Sequence, residues 1–351
     1  MAFLQINNVR ISGVVAAVPT QVKDVTTLSC LRPEEVDNVV NVTGIKQSRI
    51  APDGMVCSDY CQAAAEELIR KLGWEKESID VLIYTSVSRD YIEPNTATVI
   101  QGKMGLPRTC YTIDLPMACS GYCYALSVIG SLMQNGCLKR GLMLVGDTPS
   151  KIMSPQDKTL WPLHGDAGTA TAIEFDESAT PMFFNMMSDG SQKDAIIAPA
   201  SGVREPITES SLRMQHIDDN IYRNRTHVAM DGMSVFSFTI SQIPKAINNL
   251  IEKIGVDADD IDYLLLHQAN KYIDEKIRQK LKFPPEKTPY CLEMYGNTSS
   301  ATIPMTMVNS IAEQLSTKTN KLLMSGFGAG LSWGVVYMET SPFVVLPLIE
   351  I

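Results

Sequence analysis

The chain has 351 residues, enough for about two domains or one large α/β unit, and enough to bury a substantial core without disulfides or metals. With 30 Lys and Arg against 39 Asp and Glu, the net charge of −9 disfavours a general nucleic-acid binder, which needs a cationic footprint. No run of about 18 uncharged apolar residues predicts a membrane span, and MAFLQINNVRISG lacks the basic start and apolar core of a signal peptide. These features predict a cytoplasmic chain in which the eight cysteines are reduced thiols. Cys57/Cys61 and Cys119/Cys123 have helical spacing but no further ligands, so no metal is expected.

In chain order, continuous apolar runs at 81–85, 142–145, 263–266 and 322–325 predict strands covered on both faces. Helical patterns at 57–72, 118–135, 236–254, 270–282 and 301–315 lie between them, which predicts helices packed on a central sheet. The pattern repeats. Gly73 to Thr85 matches Gly255 to His267 at an offset of 182, with Gly, Ile and Asp coinciding. The small-residue helix start at 118–121 recurs in style at 297–301, and the strand ending Val145-Gly146 recurs as Ser325-Gly326. Three elements repeating in order predict two similar halves, 1–175 and 176–351, with the second repeat beginning near 220. The stretch 188–228 breaks the rhythm and reads as a surface excursion of the kind that forms lids or substrate walls.

Four features could carry chemistry. Cys119 stands where a strand yields to a helix, among Ala118, Ser120 and Gly121. A thiol in a first helical turn meets the positive end of the dipole, which favours the thiolate, although the commonest fate of a free Cys is a small core residue. His267 ends an apolar strand, where open α/β sheets place ligands, and its counterpart in the first half is Thr85, so the fold does not require His there. His164 lies beside Gly165-Asp166 in a predicted turn. Asn297, in Gly296-Asn297-Thr298-Ser299, reads either as a turn and cap or, through the repeat, as a group brought near Cys119. The glycines of Gly326-Phe327-Gly328-Ala329-Gly330 fit a turn between strands or an oxyanion-binding loop.

Taken together, Ala118-Cys119-Ser120-Gly121-Tyr122, His267-Gln268-Ala269-Asn270, Gly296-Asn297-Thr298-Ser299 and Gly326-Phe327-Gly328-Ala329-Gly330 resemble the motifs of β-ketoacyl-acyl-carrier-protein synthase III. The resemblance runs from Val9 to about Met338 and includes the turns Thr43-Gly44-Ile45 and Gly165-Asp166-Ala167-Gly168. It implies a thiolase-like, duplicated αβαβα fold in a cytoplasmic homodimer. It also implies decarboxylative condensation of an acyl thioester with a malonyl-carrier thioester, without metal or redox cofactor. Cys119 would be the nucleophile, His267 and Asn297 the enolate donors, and the backbone of Cys119, Gly328 and Ala329 an oxyanion site. Asn270, Lys271, Lys276 and Arg278 would border the tunnel through which acyl carrier protein delivers its load. The chain departs from the family where adenine-binding members carry Trp and Arg; here Asn38 and Val42 stand there, with Lys158 or Arg225 as possible replacements. The loop at 91–94 and the excursion at 188–228 are enlarged, which points to a specialised synthase serving a secondary metabolite or a surface-glycan acyl group. The competing readings are acyl transfer to an alcohol or amine, a papain-like hydrolase, and a non-catalytic partner subunit.

Overall fold

A computed structural model describes residues 2–351. Two mixed sheets dominate it. The larger holds seven strands. Val9–Val18, Ala167–Phe175, Arg140–Asp147, Val81–Thr85 and Tyr111–Leu115 lie side by side, and the short C-terminal strands Val344–Val345 and Ile349–Glu350 flank Val9–Val18. The smaller sheet orders Ala2–Ile6, Met182–Ser188, Ser332–Thr340, Asn320–Gly328 and Tyr263–Leu266. Four strands of each follow one plan: antiparallel, antiparallel, then parallel. Each half also lends the other an edge, since Ala2–Ile6 pairs with Met182–Ser188 while the C-terminal strands pair with Val9–Val18.

The period of two along each strand divides its residues between layers. Val81 and Ile83 face a central core, whereas Leu82 and Tyr84 face an outer one; in the second sheet Leu265 points inward and Leu264 and Leu266 outward. The central core takes the helices Gly121–Met133 and Thr302–Ser310, sandwiched between the sheets. Cys57–Leu72 and Thr96–Met104 cover the outer face of the larger sheet, and Gly232–Ile254 and Lys271–Leu281 that of the smaller. Five layers result, αβαβα, and the central position explains why Gly121–Met133 carries no charge.

The repeat seen in the sequence has a physical basis. Gly73 and Gly255 both end helices in the left-handed region, at φ +64° and +69°. A short 3₁₀ turn follows each, and then an aspartate. Asp80 Oδ2 accepts from Lys139 N–H at 2.6 Å, and Asp262 Oδ2 accepts from Lys321 N–H at 2.7 Å. In each half, therefore, the aspartate clips the first strand to its parallel neighbour.

Boundaries moved where caps decide them. The first central helix begins at Gly121 rather than 118, so Cys119 precedes the cap residue Ser120 instead of lying in the first turn. Asp231 caps the long helix four residues earlier than the periodicity shows, its carboxylate accepting from Met233 and Ser234 N–H. The pattern at 301–315 breaks at Ile311 into Thr302–Ser310 and Ala312–Thr317. Within the excursion Gln215–Asp218 and Ile221–Arg223 form a small hairpin, and at its base Ile196–Ile197 pairs with Ala229–Met230. No helix among the described residues is long and apolar enough to cross a membrane.

Candidate active site

A cavity of about 500 Å³ opens between the two halves, with Cys119, His267 and Asn297 in its walls. Each comes from the carboxyl-terminal side of the sheets or from the helix starts beyond them. Ile196, Ile197, Ala198, Val228 and Met230 of the excursion wall one side, and Phe236, Phe238 and Ile273 of the outer helices another.

Cys119 is packed against glycine. A Cβ on Gly328 would lie 2.7 Å from Cys119 Cβ and 3.2 Å from Sγ, and one on Gly326 would lie 3.0 Å from Cys119 O. The glycines are thus required by close approach. The segment is a hairpin turn between Asn320–Gly328 and Ser332–Thr340 and also a wall of the thiol site. The nearest polar partner of the sulfur is Ser299 Oγ, at 3.7 Å. Burial pushes the thiol up to about 12, opposed by the Ser299 hydroxyl and its own backbone N–H and reinforced by the Asp147 carboxylate. This overturns the expectation of a resting thiolate: desolvation outweighs the helix end, and Cys119 waits protonated.

His267 extends from the strand Tyr263–Leu266, its backbone N–H bonded to Ser325 O at 2.7 Å. Phe327 packs edge-on against the ring at 5.2 Å. Burial lowers the imidazole to about 3, with His164 adding to the effect, so the ring is neutral. Nδ1 lies 2.9 Å from Thr302 Oγ1, which lies 3.1 Å from Ser299 O. One hydroxyl proton cannot serve both. When Thr302 donates to Ser299 O, Nδ1 carries the ring proton and Nε2 is a base; when it donates to Nδ1, Nε2 becomes a donor.

Asn297 is oriented without ambiguity. Its Oδ1 accepts from Ser299 N–H at 2.9 Å, so Nδ2 turns toward Ala269 O, 3.4 Å away, and the cavity. Ser299 pays for this with a left-handed backbone at φ +54°, an uncommon conformation for a residue other than glycine. Ser299 and His164 are the groups that motif reading left without a role. Ser299 lay inside a quoted motif, but its backbone conformation has no sequence signal. Asp147 was missed as well: fully buried, it accepts from Ser86 Oγ at 2.9 Å, Val87 N–H at 2.8 Å and Ser300 Oγ at 2.7 Å, joining the halves behind the thiol.

The remaining site residues divide. Asn270 caps Lys271–Leu281 through Oδ1 to Ile273 N–H, 3.0 Å, and lines the cavity. Ala329 lines it with Gly328. Lys271 and Lys276 are exposed on the helix, Lys276 over the Tyr272 ring. Two of the candidate cations are held in ion pairs within the fold. Arg278 is structural, its guanidinium on Glu275 at 2.7 Å and on Phe283 O at 2.6 Å. Lys158 pairs with Glu35 at 2.8 Å and Asp219 at 3.1 Å, in a cluster that Arg32 joins through Asp219. Arg225 is held in the same way by Glu205. Val42 stands at the cavity wall without a charge, and Asn38 is exposed nearby on the same helix.

Comparison with known proteins decides the family. Residues 113–190 match the family described as 3-oxoacyl-[acyl-carrier-protein] synthase III, and 251–340 match its C-terminal part. A β-ketoacyl-[acyl-carrier-protein] synthase III of Streptococcus mutans is 32% identical over 333 residues, 94% of this chain and 98% of that one. The chain belongs to the β-ketoacyl-acyl-carrier-protein synthase III family. A solved 3-oxoacyl-(acyl-carrier protein) synthase from Burkholderia xenovorans LB400 superimposes with a TM-score of 0.92 at 34% identity, covering 100% of this chain and 99% of that one. This synthase is therefore a thiolase-fold condensing enzyme, an acyltransferase. Acyl transfer without condensation is not favoured.

Proposed function

We propose that Cys119, His267 and Asn297 form the condensing centre and that the substrates are an acyl thioester and a malonyl thioester carried on acyl carrier protein. The supporting observation is the convergence of a thiol, a neutral imidazole and an amide of fixed orientation on one cavity. In loading, Cys119 Sγ attacks the acyl carbonyl while its proton passes to His267 Nε2 and on to the departing thiolate. Burial raises the thiol and lowers the imidazole, so both rest neutral, and the thiol proton leaves as the carbon–sulfur bond forms. The oxyanion meets the N–H groups of Cys119 and of the Gly328-Ala329 turn.

In condensation the malonyl carbon–carbon bond breaks to release carbon dioxide, and its electrons pass to the thioester oxygen. Asn297 Nδ2–H donates to that oxygen, and so does His267 Nε2–H in the ring tautomer in which Nδ1 accepts from Thr302 Oγ1–H, reached by exchanging the Nδ1 proton for one at Nε2 through solvent in the cavity. The α-carbon then attacks the acyl-enzyme, the bond to Cys119 Sγ breaks, and one proton is taken up to restore the thiol. The scheme uses no metal or redox cofactor. We place the enzyme in the cytoplasm as a homodimer, in keeping with its family, with carrier protein docking near Lys271 and Lys276. The missing cation at Val42 and the enlarged excursion support a specialised acyl donor.

Intact-protein mass spectrometry with a panel of acyl thioesters, followed by carbon dioxide release from malonyl carrier, tests the reading. Acyl mass on wild type and none on Cys119→Ala is expected, with Cys123→Ala loading normally. Acyl mass on Cys119→Ala overturns the nucleophile, and loading without carbon dioxide release overturns condensation.

A further inference from the structure

The reaction scheme leaves a second imidazole in the cavity wall unused. His164 pairs with Asn297 in a parallel bridge, fixed by Asn297 N–H to Leu163 O at 2.8 Å and Gly165 N–H to Asn297 O at 3.1 Å. Opposed residues in such a bridge project to one side on backbones ~5 Å apart. Both side chains line the cavity. The loop is held firmly: His164 O accepts from Lys23 Nζ at 2.6 Å and Ser48 Oγ at 3.0 Å, and a Cβ on Gly165 would lie 2.2 Å from Tyr295 O.

The ring's hydrogen bonding settles its tautomer. Nδ1 lies 2.9 Å from Leu160 O, and a carbonyl only accepts, so Nδ1 carries the proton. Burial lowers the imidazole to about 4 and keeps it neutral. Nε2 is then a bare acceptor with no hydrogen-bond partner among the described residues. Ser201, Thr226 and Thr239 in the same wall send their hydroxyl protons to Ala198 O, Asn224 Oδ1 and Val235 O. His164 Nε2, which can only accept, stands on the residue paired with Asn297, whose amide donates.

The substrate supplies a matching donor. Coenzyme A and carrier thioesters share an arm in which two methylenes separate the sulfur from an amide N–H, about 5 Å from the thioester oxygen by standard bond lengths. We propose that His164 Nε2 accepts the N–H of this first amide and so sets the depth at which the thioester oxygen reaches Asn297. His164 is then a specificity-determining residue. The inference rests on Asn297 addressing the malonyl thioester oxygen.

The test compares malonyl-N-acetylcysteamine with its oxa analogue, in which an ester oxygen replaces the amide N–H. For wild type, kcat/KM for carbon dioxide release falls about tenfold with the oxa analogue, the loss expected of one neutral hydrogen bond. His164→Phe handles both thioesters equally, at the wild-type rate for the oxa analogue. His164→Gln, which keeps an acceptor, recovers part of the discrimination, and acyl loading of Cys119 in each variant shows the site intact. With malonyl-coenzyme A and malonyl carrier, the larger wild-type kcat/KM identifies which delivers the arm, and His164→Phe lowers both. Equal wild-type rates with the two analogues, or full discrimination by His164→Phe, overturn the proposal alone. Loading of Cys119 with no carbon dioxide from either thioester removes the condensation reading and this proposal together.

Discussion

Cys119 Sγ and Ser299 Oγ face each other at 3.7 Å although 180 residues separate them in the chain. That separation is the offset of the internal repeat, so the counterpart of Cys119 in the second half is Ser299, two residues beyond Asn297. Duplication sets two helix starts head to head, and the halves have divided the work. The first supplies the sulfur. The second supplies a serine whose hydroxyl touches the sulfur, whose N–H orients Asn297 and whose carbonyl receives Thr302.

Ser299→Ala separates these roles. It removes the hydroxyl that lowers the thiol but keeps the N–H. Alkylation of Cys119 by iodoacetamide at pH 9 is expected to slow several-fold, because a weak hydrogen bond worth roughly 1 kcal/mol shifts an ionisation by somewhat under one pH unit. Decarboxylation stays within about twofold of wild type, since Asn297 keeps its orientation. A large loss of decarboxylation with unchanged alkylation would reverse the assignment.

Asn297→Ala and His267→Ala each remove one of the two donors proposed for the enolate oxygen. Carbon dioxide release from malonyl thioester should drop by roughly 10²–10³ in each, the usual cost of one oxyanion donor. Acyl loading should be nearly normal in Asn297→Ala but impaired in His267→Ala, because only His267 also moves the thiol proton. Thr302→Val keeps the volume and deletes the hydroxyl that holds His267 Nδ1, so it should slow both half-reactions. Single-turnover loading and carbon dioxide trapping separate them.

Gly328→Ala tests close approach directly. The new methyl would stand 2.7 Å from Cys119 Cβ, closer than such atoms pack, in a turn whose φ any residue can adopt. The expected result is a folded protein, by circular dichroism and melting, that loads acyl groups at least tenfold more slowly. Unchanged loading would mean that Sγ can move aside without cost.

The architecture was legible because the repeat is written in Gly, Ile and Asp at fixed offsets, each with a local job: cap, core contact, strand clip. Cys119, His267 and Asn297 could be singled out because they sit at strand ends and helix starts, and the fold brings all three to one cavity. What sequence did not carry was environment. Cys119 looked like an activated thiolate because a helix follows it, but it lies before the cap and in a desolvated cavity, and desolvation wins. Lys158 and Arg278 looked free because their partners Asp219 and Phe283 approach only in the fold, and His164 showed no function until a bridge put it beside Asn297.

Two neutral buried histidines make stability fall in acid. His164 and His267 ionise at about 4 and about 3 in the folded protein but near the ordinary 6.5 when unfolded. Between pH 6.5 and 4 the unfolded chain binds more protons at these sites, so their contribution to stability diminishes as pH falls, by up to about 1.4 kcal/mol per pH unit for each histidine. Buried Asp166 and Asp274, both raised by burial, act with the opposite sign, so the difference between proteins is the informative quantity. Urea unfolding of wild type and His164→Phe from pH 6.5 to 4.5 should give a slope shallower toward acid by about one proton's worth in the variant. Parallel curves would mean that His164 is protonated in the folded protein.

The helix Lys271–Leu281 is the proposed docking surface for carrier protein. Lys271 and Lys276 are exposed and make no ion pair among the described residues, while Arg278 is bound to Glu275 and Phe283 O. Coenzyme A finds neither an aromatic ring at Asn38 nor a cation at Val42, and Lys158 and Arg225 are already paired. A stacking contact is worth ~1–3 kcal/mol and a charge-assisted hydrogen bond ~1.5–3 kcal/mol, so losing both weakens the nucleotide end by 10²-fold or more. An acidic carrier keeps its electrostatic approach through Lys271 and Lys276. Acyl carrier should therefore load Cys119 faster than the matched acyl-coenzyme A at equal concentration, and the advantage should shrink as salt rises. Lys271→Glu with Lys276→Glu should abolish the advantage by slowing carrier loading alone. Arg278→Ala should instead lower the melting temperature, because the guanidinium holds the helix end rather than a ligand. Rapid-quench loading with both donors at low and high salt measures the difference; equal or faster loading from acyl-coenzyme A would show that a residue elsewhere on the rim holds the nucleotide.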